Sequence, residues 1–299
     1  MKSVERFLAG LRRHKVWAWL ALLIYAAAVT FPHQPVENVV SYFTDRYTNE
    51  RVWLVFLRSA LIGAAGLTVL FLIAIARLRS WAERMLLVTF WVFSIALMAG
   101  IWREFMTNNA ELVHFPQYFP EGIALIALTG SVSESLVWIA ILGGLDEAFQ
   151  YIFVMVGKPV PFDLNDVYMD LAGGAAGVVL GLALMRYALR EDRRDWLRGL
   201  LATPGVRALA GILCGGLVLL ASGRMTLYDE PGSPSHWFAL SRHFTPGYRY
   251  VRPWTFGLGH LHELTPFEGT AIILITIALY SVLDRYLQFR ADGISSVRR

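Results

Sequence analysis

Ionisable and amide side chains set inside apolar runs could carry chemistry in this chain, and they concentrate between residues 104 and 170. A charge at the centre of a membrane helix costs about 2.5–3.5 kcal/mol on insertion scales, so each such residue needs a compensating role. The first group is Glu111, His114, Gln117 and Tyr118, in Ala110-Glu111-Leu112-Val113-His114-Phe115-Pro116-Gln117-Tyr118. On a helix, Glu111 and His114 are three apart and His114 and Tyr118 four apart, so the group can share a face. The alternative is an interfacial loop, with Tyr118 in an aromatic belt and the Glu111 carboxylate solvated. The second group is Asp146, Glu147 and Gln150, just after Gly143-Gly144. Its members project toward adjacent sectors of one helix side. Two adjacent carboxylates there must face the bundle interior or a wet cavity; the alternative is a buried polar network that fixes helix packing. The third is Asp163, Asp166 and Asp170, leading into Gly173, Gly174, Gly177 and Gly181. Asp163 reads as a helix N-cap and Asp166 as a first-turn acid favoured by the helix dipole. Asp170 lies too deep for either role. The glycines form a small-xxx-small face that admits a neighbouring backbone.

The elements that position these groups follow from composition. The chain has 299 residues, 56% hydrophobic and 17% charged, with a mean hydropathy of +0.48. Soluble domains carry about 25% charge, so the apolar excess points to lipid. Runs long enough to span fall at 16–31, 52–76, 85–102, 132–156, 208–222 and 269–287, with less uniform ones near 115–129 and 166–187. The fold class is therefore all-α, a polytopic integral membrane helical bundle of about eight transmembrane helices. No cleavage site follows the first run, which reads as an uncleaved span rather than a signal peptide. Ser131 and Glu134 read as a capping box opening the span at 132. Pro159 and Pro161 mark the loop after it.

Basic residues sit in clusters between the runs, at Lys2 to Lys15, Arg77 to Arg84, Arg186 to Arg198 and Arg290 to Arg299. The positive-inside rule then puts both termini in the cytoplasm, with a cytoplasmic (inner) membrane location. Spans four, five and six alternate in direction. The start of four, the end of five and the start of six would therefore meet near the extracytoplasmic boundary, and all three polar groups lie toward those ends. Although the pI is about 9.3, the basic clusters form no face that tracks phosphates, which excludes nucleic acid as a partner. The single cysteine, Cys214, excludes an intrachain disulfide and a thiolate metal cluster.

Taken in order, the three polar elements resemble the VanZ-like membrane proteins, a family named after a teicoplanin-resistance determinant. That family's pattern is Glu-x-x-His-Phe, then Asp-Glu-x-x-Gln, then Asp-x-x-x-Asn-x-x-Gly. Here it is matched by Glu111 to Phe115, by Asp146 to Gln150, and by Asp166, Asp170 and Gly173. Asp170 stands where the family has Asn, and the family's loop arginine is absent, with Lys158 the nearest cation. The resemblance covers roughly residues 16–187. It implies a VanZ-like transmembrane domain over 1–187 and an association with the bacterial cell envelope and antibiotic tolerance, without defining a reaction. Residues 188–299 form a C-terminal extension with two further spans and an extracytoplasmic segment at 223–268. The Trp, Tyr and Arg residues of that segment suit membrane anchoring, glycan stacking or lipid phosphates. His260 and His262 are a weak metal pattern, because residues two apart do not share a helical face.

The functional expectation is a polar extracytoplasmic-side pocket that binds a membrane lipid or lipid-linked envelope precursor and affects glycopeptide tolerance. Its ligand-binding residues would be Glu111, His114, Gln117, Tyr118, Asp146, Glu147, Gln150, Asp166 and Asp170. One alternative is an intramembrane metal-dependent hydrolase or transferase. In it His114 or Glu147 would be the general base, and Asp146, Glu147 and Asp166 would hold a divalent cation. No Ser or Cys nucleophile lies beside these groups, which weakens covalent catalysis. A second alternative is a proton-coupled transporter, although no inverted repeat is evident.

Overall fold

The structure, a computed structural model, describes residues 2–31, 33–47, 49–78, 80–106, 109–154, 162–185, 188–189, 201–227, 238–240, 247–250 and 260–288. The arginine-rich linker at 190–198, Lys158, Pro159, Pro161, Trp237, Trp254 and the C-terminal arginines lie outside these residues.

The described helices run in chain order as α1 (Lys2–Arg13), α2 (Lys15–Thr30), α3 (His33–Arg46), α4 (Asn49–Ile75), α5 (Trp81–Phe105), α6 (His114–Thr129), α7 (Val132–Phe149), α8 (Leu164–Leu184), α9 (Pro204–Ala221) and α10 (Pro266–Tyr286). Six are long and apolar enough to cross a membrane: α4, α5, α7 with its continuation to Val154, α8, α9 and α10. The other two expected spans are α2 and α6, of 16 residues each. At 1.5 Å per residue each is roughly 24 Å long, short of a hydrocarbon core of about 30 Å. Two helices, α1 and α3, lie outside the runs read from sequence as spans. In α1 the apolar residues Val4, Phe7, Leu8 and Leu11 recur at helical spacing, and in α3 Val36, Val39, Val40 and Phe43 do the same. Short strand pairs accompany the C-terminal part. They join β1 (Ala188–Leu189) to β6 (Leu287–Gln288), β2 (Met225–Thr226) to β3 (Phe238–Ala239), and β4 (Gly247–Tyr250) to β5 (His260–Glu263).

The bundle is built around α8, one of the two less uniform runs in sequence. Of its 21 residues only Leu164 and Asp166 are not buried. Helices α4, α5, α6, α7 and α10 pack around it. The reason is the glycine stripe. A Cβ added at Gly173 would come within 2.5 Å of the Phe115 carbonyl oxygen, and one at Gly177 would strike the Phe119 carbonyl. Without side chains there, α6 lies directly on the α8 backbone and runs parallel to it. Large apolar residues such as Ile62 of α4 (74% exposed) and Leu217 of α9 (65%) stay on the outside, where a bilayer would cover them.

At one end of the bundle, Ser131 caps α7 by accepting from the Glu134 N–H at 3.3 Å. The rest of the expected capping box is replaced. The Ser131 N–H donates to Thr129 Oγ1 at 3.2 Å, and Asp284 of α10 accepts the remaining donors of the α7 start. It takes Val132 N–H at 2.6 Å, Ser133 N–H at 2.8 Å, and the hydroxyls of Ser131 at 2.9 Å and Ser133 at 2.6 Å. A carboxylate on a helix N-terminus satisfies orphan N–H groups and the dipole together. The complete capping box occurs instead at α10, between Thr265 and Glu268. At the same bundle end, Arg12 Nε donates to the Ala127 carbonyl at 2.8 Å near the end of α6. Arg77 pairs with Glu5 at 2.5 Å.

Candidate functional site

At the opposite end, α6 begins after a 3-10 turn over Asn109–Val113, α7 passes into a π turn over Gln150–Val154, and α8 begins at Asp163. Each transition is locally encoded. Pro116 falls in the first turn of α6, where its missing N–H has no partner to lose. Asp163 caps α8 as its sequence suggests, accepting from Asn165 N–H at 2.9 Å and Asp166 N–H at 3.4 Å. The Gln150 N–H is shared between the Asp146 and Glu147 carbonyls at the junction where α7 gives way to the π turn.

Three helices thereby bring one imidazole among carboxylates. His114 is 4% exposed. Its Nδ1–H donates to Asp170 Oδ1 at 3.0 Å, and its Nε2 lies 3.6 Å from Asp166 Oδ2. One turn along α6, the Tyr118 hydroxyl donates to Asp146 Oδ2 at 3.3 Å. Glu147, also buried, accepts from Gln150 Nε2 at 2.8 Å. Glu147 interacts electrostatically with Asp146, Asp166 and Asp170, which ties the α7 and α8 groups together. Gly143 makes room for the meeting, because a Cβ there would sit 2.8 Å from Asp170 Oδ2.

Of the sequence-derived residues, His114, Tyr118, Asp146, Glu147, Gln150, Asp166 and Asp170 therefore share this region. Glu111 lies in the 3-10 turn and acts electrostatically on His114 and Asp166. Gln117 is half-buried, and its backbone carbonyl accepts from the Tyr25 hydroxyl of α2 at 2.8 Å. His262 lies on a strand, so the helical-face test does not apply to it; its Nε2 is 3.5 Å from Glu268 Oε2.

Glu121 is a member of the cluster that sequence reading missed. It is 1% exposed and interacts electrostatically with Asp170 and Asp146. Its signal was available: it stands three residues after Tyr118 and seven after His114, which is one helix face. Both Glu121 oxygens, Asp146 Oδ1 and Asp170 Oδ2 are buried with no hydrogen-bond partner among the described residues. Among those residues no lysine or arginine pairs with Glu121, Asp146, Glu147, Asp166 or Asp170. Nor, among them, are three His, Cys, Asp or Glu side chains grouped so as to hold a metal ion. Chemically, the arrangement offers an oriented imidazole and a surplus of acceptors over donors. No protein family, curated protein or solved structure matches the chain in comparisons with known proteins.

Proposed function

We propose that this chain is an envelope-facing, VanZ-like binding protein of the bacterial cytoplasmic membrane that engages a cell-envelope ligand. The cluster around His114 is the ligand site in this reading. Eight helices cross the membrane, with α2 and α6 completing the six longer ones. Both termini are cytoplasmic, and the site opens toward the extracytoplasmic side.

One observation carries the reading. Both Glu121 oxygens in the middle of α6, Asp146 Oδ1 near the end of α7 and Asp170 Oδ2 in the second turn of α8 are buried with no donor among the described residues, although buried polar groups are normally paired. A ligand that supplies donors would complete them. Orientation is supported by charge: Arg12 and Arg77 sit at the opposite end of the bundle, the end that the positive-inside rule assigns to the cytoplasm. The order of the sequence elements supports the family reading and, through it, an effect on glycopeptide tolerance.

The test is a native mass spectrum of the detergent-extracted protein. A co-purified mass should accompany the wild type and be lost in Asp170→Asn and Asp146→Asn. Glycopeptide tolerance of the host should fall in the same variants at equal membrane abundance. Unchanged spectra together with unchanged tolerance would refute the site.

A further inference from the structure

Glu121 extends the cluster inward. It lies seven residues beyond His114 on α6, roughly 10 Å deeper at 1.5 Å per residue. Its two unpartnered oxygens add to Asp146 Oδ1 and Asp170 Oδ2, so three helices contribute orphan acceptors to one interior region.

Beyond the His114 imidazole, which already faces Asp166 and Asp170, three kinds of positive charge can neutralise such a region. A proton on Glu121 removes the charge but leaves an O–H in need of an acceptor, since neither Glu121 oxygen has a partner within hydrogen-bond reach among the described residues. A bare metal ion needs several oxygens at about 2.0–2.6 Å from one point, and no such grouping is present among the described residues. An organic ammonium carries up to three N–H donors on a body large enough to bridge separated acceptors. A phosphate-bearing head would meet only like charge from the carboxylates.

We propose that Glu121, with Asp146 and Asp170, forms a deep subsite for an alkylammonium group, so that the part of the ligand entering the site is a cationic amine and not a phosphate. This subsite rests on the ligand-site reading above and specifies its chemistry. It selects amine-bearing envelope components or amine-bearing antibiotics over anionic lipid-linked precursors.

The experiment is thermal unfolding of the full-length protein in dodecyl maltoside near neutral pH, titrated with decylamine and separately with decyl phosphate. Decylamine should raise the midpoint with a saturable dependence, and decyl phosphate should not. Glu121→Gln should weaken the apparent Kd for decylamine by about tenfold or more. Glu121→Asp, which keeps the charge, should recover part of that loss. Equal responses to the two probes, no saturable response to either, or undiminished decylamine affinity in Glu121→Gln would each overturn the subsite. If decylamine fails while the native spectrum still shows a mass that depends on Asp170, only the amine inference falls. If both fail, the ligand site falls with it.

Discussion

Acidic side chains stand at each end of helix α7, and the two arrangements are built on opposite principles. At its start, Asp284 accepts four hydrogen bonds from Ser131, Val132 and Ser133, within 2.6–2.9 Å. At its finish, Asp146 and its neighbours from α6 and α8 leave four buried oxygens without a donor among the described residues. The first arrangement holds helices together, because every partner it needs is already in the chain. The second finds no such donors among the described residues. An ionisable residue within an apolar helix is therefore not by itself evidence of a site; the number of its partners separates a structural acid from a candidate for binding.

That contrast gives amide replacements opposite signs. Asp284→Asn turns an NH2 group toward donors that need an acceptor, and should lower stability by about 3 kcal/mol, read as a depressed midpoint in detergent. Gly177→Ala should come next, with a loss of about 2 kcal/mol, because its Cβ meets the Phe119 carbonyl and pries α6 from α8. Glu121→Gln should instead raise the midpoint of ligand-stripped protein, by about 1 kcal/mol, since it replaces a buried ionisable carboxyl that has no partner among the described residues with a neutral group. Ser131→Ala is the smallest change, a loss of about 0.5 kcal/mol, because Asp284 still covers the α7 start.

The long-range meeting of His114 with Asp170, 56 residues apart, was legible in sequence because helix direction alternates from span to span. That rule alone brings the start of α6, the end of α7 and the start of α8 to one level. The glycine stripe at Gly173 and Gly177 was legible for a similar local reason: small residues at helical spacing announce a close neighbour, and here the neighbour is α6. The number of full crossings was less so: the runs at 16–31 and 115–129 match α2 and α6 closely, but helices of 16 residues fall below the length that by itself marks a crossing. Glu121 and Asp284 were missed for one shared reason. Each is a single acid in an apolar stretch, and whether it meets a helix N-terminus or other acids depends on which helices lie beside it. Helices α1 and α3 carried a visible periodic signal, obscured by their polar residues.

The most direct test compares Asp284→Asn and Glu121→Gln in a single thermal-unfolding experiment, on protein freed of co-purifying small molecules by prolonged detergent exchange. The midpoint should fall for Asp284→Asn and rise for Glu121→Gln. A fall in both would show that the carboxylates around Asp170 are as fully satisfied as Asp284, and would contradict the existence of an incomplete site.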